Sequence, residues 1–477
     1  MKNLHTLSRR ARVFIAYTLC LCLLSGIAFC STVTVSAAST DIVGSGSTTY
    51  PAPPEIESGN CILMDADTGI VLYEKNSDEK CYPASVTKLM TALLVVENCN
   101  LNDTLTVSAN AVSSVKYGDA SAALKKDEEF TVEQALNVML IKSANDMAYA
   151  LGEHVGGSIA NFANMMNKKA EELGCTNTHF SNASGLTDIN HYTTAHDMAL
   201  ICRAVINSPA IMNAISYTKS YSVPPTNKTS ETRYYRLSHS MVTGKYLYEY
   251  CLGGKTGYTD AAGYTLATFA GKDGLRLICV VFNSTDEQRY IDTTALFEYA
   301  FNNFHRMNIA QNEDTFSFNQ GLGLSAFGVS GKALSGGADI TLSVPDSDYV
   351  LVPDGVSFSE LTKEIVFNES STAPEDGGTD TTFAEINYYY DSRLLGHTNL
   401  IFSEKLSADS ASDSTSLTGL PYLIDTEDGG IDASSLLQEG HFFTVNIWLC
   451  VIVLCIVILA IIIIVNVKKN RHNLRFS

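Results

Sequence analysis

The stretch Tyr82-Pro83-Ala84-Ser85-Val86-Thr87-Lys88-Leu89-Met90-Thr91 sets a serine and a lysine three residues apart at the foot of an apolar rhythm. Beyond Pro83, the residues Val86, Leu89, Met90, Leu93 and Leu94 recur with helical spacing. Positions i and i+3 of a helix share a face, so Ser85 and Lys88 are expected side by side at a helix start. Backbone donors and the helix dipole at that end favour developing negative charge. Serine acyl transfer needs a hydroxyl, a neutral base within reach, donors for an oxyanion and a group that fixes the substrate. The Ser85 and Lys88 pair meets the first two needs.

Working outward, the spacing alone is not selective, because Ser77 with Lys80, Ser113 with Lys116 and Ser216 with Lys219 repeat it. Ser143-Ala144-Asn145 supplies a second element, although Ser108-Ala109-Asn110 has the same form. Lys255-Thr256-Gly257 is the only Lys-Thr-Gly in the chain. Order removes the ambiguity: a serine and lysine on a helix start, a Ser-x-Asn between helices and a Lys-Thr-Gly on a late strand occur in that sequence.

The segments between these motifs are legible. Cys61 to Met64 and Ile70 to Tyr73 flank Asp65-Ala66-Asp67-Thr68-Gly69, two strands around a glycine turn. Thr131 with Gln134 forms a capping-box pattern, and Ser158 precedes a helix through Leu173 that stops before Gly174. Residues 100 to 250 therefore read as a helical subdomain. Strands return at Tyr264 to Ala270 and Leu275 to Phe282 around Lys272-Asp273-Gly274, and a last helix is expected over Tyr290 to Phe304. Strands at both ends with helices between them predict one α+β domain whose sheet is completed by distant segments.

The ends carry a different signal. Lys2, Arg9, Arg10 and Arg12 precede an apolar run from Val13 to Phe29 and small residues around Ala37 and Ala38, which reads as a signal peptide over 1–38. Phe29 before Cys30 argues against lipid attachment there. Residues 39–58 are a Ser-, Thr-, Gly- and Pro-rich tether, and 59–305 form the catalytic domain. Residues 306–405 alternate short strands with glycine turns, as a small all-β domain would, and 406–446 form an acidic stalk. The 21-residue apolar run Ile447 to Val467, at about 1.5 Å per residue, suits a C-terminal transmembrane helix of roughly 30 Å. The basic tail 468–477 lies where cytoplasm is expected, so the expected localisation is the cell membrane, single-pass, with the catalytic domain extracellular.

The formal net charge is −19, and the first forty and last 37 residues each hold four basic and no acidic side chains, so the body is more acidic still. Such a surface repels phosphate backbones, and no nucleic-acid partner is expected. Outside the two terminal apolar runs, Cys61, Cys81, Cys99, Cys175, Cys202, Cys251 and Cys279 are scattered without a disulfide or C-x-x-C pattern and read as small apolar residues. His191 and His196 resemble a metal pair, but Thr194 and Asp197 mark a helix start that gives them structural roles. No phosphate loop, haem motif or zinc spacing appears, and no cofactor or metal is expected.

The three ordered motifs are those of penicillin-binding proteins and class A β-lactamases. The stretches around them resemble the low-molecular-weight penicillin-binding proteins, the serine-type D-alanyl-D-alanine carboxypeptidases. The likeness runs through residues 82–91, Ser143-Ala144-Asn145-Asp146, Asn182-Ala183-Ser184-Gly185-Leu186, His191-Tyr192-Thr193-Thr194-Ala195 and Gly254 to Tyr264. It is strong over residues 59 to 305 and fainter through Ile386 to Asp391 and Leu395-Gly396. It implies a penicillin-binding, β-lactamase-like transpeptidase fold that trims peptidoglycan stem peptides and takes β-lactams as inhibitors. Ser85 is then the acyl nucleophile, Lys88 its base, and Ser143 the proton relay to the leaving amine. Asn145 holds the substrate chain, Lys255 and Thr256 hold the terminal carboxylate, and Gly257 permits close approach. The N–H groups of Ser85 and Tyr258 form the oxyanion hole. Arg289 is placed either at the carboxylate or in a surface ion pair. A second cation, Lys255, and burial would lower the pKa of Lys88, as a lysine base requires.

Rival readings are a β-lactamase, a D,D-endopeptidase and a non-catalytic β-lactam sensor or wall-binding protein. A β-lactamase needs a carboxylate placed to activate water, and no glutamate stands in such a setting. A sensor needs a cytoplasmic signalling part, and only ten residues follow Val467. The sequence leaves the oligomeric state open.

Overall fold

A computed structural model of the protein describes residues 50–313, 339–367 and 380–405. The expected signal peptide, acidic stalk, transmembrane run and basic tail lie outside these residues. Among the described residues no single helix is long and apolar enough to cross a membrane.

The chain opens with strands β1 (Asn60–Asp65) and β2 (Val71–Lys75), joined by the Asp65 to Gly69 turn in which Gly69 has φ +82°. A 3-10 turn, Ala84–Thr87, leads directly into helix α1 (Lys88–Asn98). Helix α2 (Val132–Lys142) carries the full capping box expected of Thr131 and Gln134. Helix α3 (Asn145–Gly156) follows after two residues, and α4 (Ile159–Glu172) is capped by the Ser158 hydroxyl. The Thr194 side chain caps α5 (Ala195–Val205) by accepting from the Asp197 N–H. Strands β3 (Cys251–Thr259), β4 (Gly263–Lys272) and β5 (Leu275–Ser284) then form a meander, and α6 (Gln288–Asn303) completes the unit. Asp273 and Gly274, both at positive φ, make the tight β4–β5 turn.

The sheet order is β2-β1-β5-β4-β3, with every described pairing antiparallel. The N-terminal hairpin thus joins strands some two hundred residues later, as the split strand pattern predicts. Successive residues of a strand point to opposite faces, and both faces are covered. Ile62, Met64, Ile278, Val280 and Phe282 pack with the helices α1 to α5. Cys61, Leu63, Leu277, Cys279 and Val281 pack with Tyr290, Leu296, Phe297 and Ala300 of α6. Burial on both faces explains why these strands read as apolar runs rather than alternating ones.

Two compact units are separable. The first comprises the chain through Met307 together with Tyr349–Ile365 and Ile386–His397; the second comprises Asn308–Asp348, Val366–Glu385 and the chain from Thr398 onward. Within the first unit, the returning strand Tyr349–Pro353 buries Tyr349 and Leu351 in the core under α6. The Tyr349 hydroxyl lies 2.7 and 2.9 Å from the two carboxylate oxygens of the wholly buried Asp65, and the Thr68 hydroxyl and Asp67 N–H also donate to that carboxylate. Within the second unit, Asp339–Ser343 pairs antiparallel with the end of Arg393–Lys405. The seven cysteines in the described residues are free thiols, five of them buried.

Candidate active site

The 3-10 turn before α1 decides the first relationship. Side chains at i and i+3 eclipse in a 3-10 helix, more closely than in an α-helix, and Lys88 Nζ lies 2.9 Å from Ser85 Oγ. Ala84, just before the serine, has φ +49°, a left-handed conformation that is uncommon outside glycine. Its carbonyl oxygen lies 1.8 Å from where a Cβ on Gly185 would stand, so position 185 accepts no side chain. Gly185 itself has φ +86°.

The second motif reaches the same place through a helix end. Ser143 terminates α2 in the left-handed conformation, φ 59°, and Ala144 is extended before α3 begins at Asn145. The reversal sends Asn145 Oδ1 to Lys88 Nζ at 2.7 Å and Ser143 Oγ to Lys255 Nζ at 2.9 Å. Lys255 lies on β3, an edge strand, and also donates to the Thr256 carbonyl at 2.7 Å. The Thr256 hydroxyl meets Ser238 Oγ at 3.0 Å. A Cβ on Gly257 would stand 2.9 Å from the Ser85 nitrogen, so the glycine keeps the space before that N–H clear. Tyr258 follows on the same edge strand and pairs with Tyr264.

Lys88 and Lys255 are both buried, at 0% and 1% exposure. Burial, then the charge of Lys255, holds Lys88 well below the ordinary lysine pKa, with Asp146 and Asp119 opposing. Burial, then the Arg289 guanidinium, lowers Lys255 to about 7. Both shifts favour the uncharged amine, at Lys88 beside the serine and at Lys255 beside the Ser143 hydroxyl.

Seven of the eight sequence-predicted residues are thus linked through contacts of Ser85, Lys88, Ser143, Asn145, Lys255, Thr256 and Gly257, and Tyr258 continues the strand. The competing serines stand elsewhere. Ser77 Oγ donates to Glu74, Ser113 Oγ to the Asn110 carbonyl and Ser216 Oγ to the Asn213 carbonyl. Ser108 caps a short helix.

A match to the family model described as D-alanyl-D-alanine carboxypeptidase spans residues 47–286, the whole of this cluster. The D-alanyl-D-alanine carboxypeptidase DacF of Bacillus subtilis is 32% identical over 331 residues, covering 68% of this chain and 80% of its own. The chain belongs to the D-alanyl-D-alanine carboxypeptidase family. DacC of Escherichia coli, of the same description, is 32% identical over 272 residues, 55% of this chain and 66% of its own. For the fold alone, the crystal structure of penicillin binding protein 5 from Haemophilus influenzae has a TM-score of 0.59 at 24% identity, covering 74% of this chain and 98% of its own. The α+β fold is accordingly the penicillin-binding, transpeptidase-like one.

Arg289 is neither a free surface residue nor only an ion-pair partner of Asp286. Only 6% exposed, it donates to the carbonyls of Gly257 at 3.3 Å and Thr265 at 3.2 Å, bracing β3 and β4 behind the site. His191 has the structural place expected: its Nδ1 accepts from the Ser181 N–H at 3.1 Å and its Nε2 meets Thr87 Oγ1 at 2.9 Å. Burial lowers its pKa to about 4. No group of histidine, cysteine or carboxylate side chains among the described residues is arranged to hold a metal. Residues that sequence reasoning passed over are Ser184, whose backbone carbonyl accepts from Lys88 Nζ at 2.7 Å, and Ser238. A backbone carbonyl has no sequence signature beyond the Asn182 to Leu186 motif that carries it.

Proposed function

We propose that this enzyme removes the terminal D-Ala from peptidoglycan stem pentapeptides through an acyl-enzyme on Ser85. The observation that carries the reading is the buried, low-pKa Lys88 amine at 2.9 Å from Ser85 Oγ. Neutral Lys88 takes the hydroxyl proton as Oγ attacks the carbonyl between the two D-Ala residues. The N–H groups of Ser85 and Tyr258 receive the oxyanion. Ser143, held by Lys255, relays the proton taken up by Lys88 to the leaving amine, so free D-Ala departs and Lys88 is neutral once more. Water then attacks the ester, with Lys88 again the base. The Lys255 ammonium and Thr256 hydroxyl hold the terminal carboxylate, Asn145 holds the substrate chain, and edge strand β3 offers backbone groups for an extended peptide. β-Lactams present the same carboxylate beside a reactive carbonyl and acylate the same serine.

Lys88 meets a hydroxyl, an amide oxygen and a backbone carbonyl. No carboxylate is among these three partners, so the β-lactamase reading finds no support in these contacts.

The same proposal puts the enzyme on the outer face of the cell membrane, exported by residues 1–38 and anchored by Ile447 to Val467. Sequence supports the anchor: an apolar run long enough for a hydrocarbon core, followed by Lys468, Lys469, Arg471 and Arg475. Incubating the ectodomain with a pentapeptide ending in D-Ala-D-Ala should release D-Ala much faster than it hydrolyses penicillin; the reverse ratio would make it a β-lactamase. A protein cut to Ser39 through Glu439 should be soluble and active, and release of the full chain from membranes by salt alone would exclude a spanning anchor.

A further inference from the structure

The motif Asn182-Ala183-Ser184-Gly185-Leu186 has no part in the acyl-transfer steps above, yet it clasps the nucleophile turn. Thr91 Oγ1 donates to the Ala183 carbonyl at 2.7 Å and Lys88 Nζ to the Ser184 carbonyl at 2.7 Å. Gly185 packs on the Ala84 carbonyl. Asn182 builds this turn. Its Oδ1 accepts from the Ser184 N–H at 3.1 Å, the Ser184 hydroxyl at 3.1 Å and the Gly185 N–H at 2.8 Å. Its Nδ2 donates to the Leu186 carbonyl at 2.9 Å. An asparagine that bonds the chain two and three residues on imposes a turn that the backbone would not otherwise keep.

The consequence concerns the protons of Lys88. A neutral amine has two N–H bonds and one lone pair. Of the three Lys88 partners, Asn145 Oδ1 and the Ser184 carbonyl can only accept, whereas Ser85 Oγ can donate. With both N–H bonds taken, the lone pair is left on the axis to the serine proton. After transfer, the ammonium finds three acceptors already in place, so no reorganisation accompanies the step.

We propose that Asn182 is a positioning residue for the general base, fixing the Ser184 carbonyl so that the lone pair of Lys88 is aimed at Ser85. The proposal rests on the reading of Lys88 as base. The charged and titratable groups facing Lys88 are Lys255 on β3, Asp146 on α3, Asp119 in the loop before α2, and His191.

The test is saturation acylation kinetics of the full-length protein with a chromogenic penicillin, giving the acylation rate constant and the pre-covalent affinity separately, measured across pH for Asn182→Ala, Asn182→Ser and Lys88→Ala. Asn182→Ala should lower the plateau on the order of 10²-fold, the lower range for a positioned base, while pre-covalent affinity stays the same. Its acid limb should move to lower pH, because the ammonium loses an acceptor that favours the charged form. Asn182→Ser keeps an oxygen for the turn and should recover at least part of the plateau. If Asn182→Ala does not fold, the serine variant, expected between wild type and Lys88→Ala with its limb also lowered, decides. A folded Asn182 variant with the wild-type plateau and limb, or one altered only in pre-covalent affinity, overturns the proposal while a dead Lys88→Ala leaves the base intact. Wild-type acylation by Lys88→Ala would instead remove the base reading itself.

Discussion

Lys255 Nζ donates to Ser143 Oγ across 2.9 Å, joining the cation of the late strand to the hydroxyl of the inter-helix turn. On the proposed roles, recognition of the carboxylate and delivery of the proton share one titrating group.

With its pKa lowered to about 7 by burial and by Arg289, Lys255 is charged below that pH and neutral above it. Lys88 is also held well below the ordinary lysine value, by burial and then by the charge of Lys255. The kcat/KM for a D-Ala-D-Ala peptide should consequently fall as pH rises through about 7, and Arg289→Met should move that limb upward. Lys255→Ala should slow acylation by peptide and penicillin alike, on the order of 10²-fold or about 3 kcal/mol. Unchanged acylation by carboxylate-bearing substrates, with loss only for an ester lacking the group, would contradict the assignment.

Penicillin should label Ser85 alone, since Ser85 meets a lysine amine whereas the other serines with lysine at i+3 donate to Glu74, Asn110 and Asn213. Peptide mapping by mass spectrometry checks this, and an adduct on Ser77, Ser113 or Ser216 would overturn it.

Gly185→Ala and Gly157→Ala separate backbone strain from collision. Both glycines have positive φ, but a Cβ at 157 meets nothing within 4 Å, whereas at 185 it strikes the Ala84 carbonyl. Gly157→Ala should cost about 1 kcal/mol and leave acylation unchanged. Gly185→Ala should cost more in thermal denaturation and slow acylation, because it displaces the residue before the nucleophile. Equal effects on both readouts would refute the proposed contact.

Acid should weaken the fold through two buried histidines. Burial lowers His191 to about 4 and His239 to about 3, the latter also through Arg289 and Lys255. The unfolded chain binds these protons near pH 6.5 and the native state does not, so stability is full above about 6.5 and lost as pH falls through about 4 for His191 and about 3 for His239. The melting temperature should drop over that window, and His239→Gln should flatten the drop. An unaltered slope in that variant would exclude His239 as a contributor.

Much of this was legible because it rests on local rules. The Thr131 capping box, the Thr194 cap, the Asp273-Gly274 turn and the α+β sheet closed by distant strands follow from side-chain chemistry and spacing. Helical periodicity also brought Ser85 and Lys88 together, although they lie on a 3-10 turn and the first α-helical residue. That difference is one of hydrogen-bond register, which periodicity over a few residues does not resolve. The Ser184 carbonyl and the burial of Arg289 were not legible, since backbone acceptors are common to every residue and a guanidinium inside the protein depends on which carbonyls the tertiary fold leaves near it.

The pairing of Tyr349 with Asp65 bears on how this enzyme can be cut and recombined. Every motif residue precedes Met307, and a chimera-builder would be tempted to lift that stretch as a self-sufficient cassette. Doing so would strip two of the three hydroxyl contacts from a carboxylate with no access to water, a loss of about 1–3 kcal/mol, and would uncover the core where Leu351 sits. Any transplant of the catalytic machinery has to carry Tyr349–Ile365 with it, so the unit of inheritance here is a discontinuous stretch of gene rather than the run of residues bearing the chemistry.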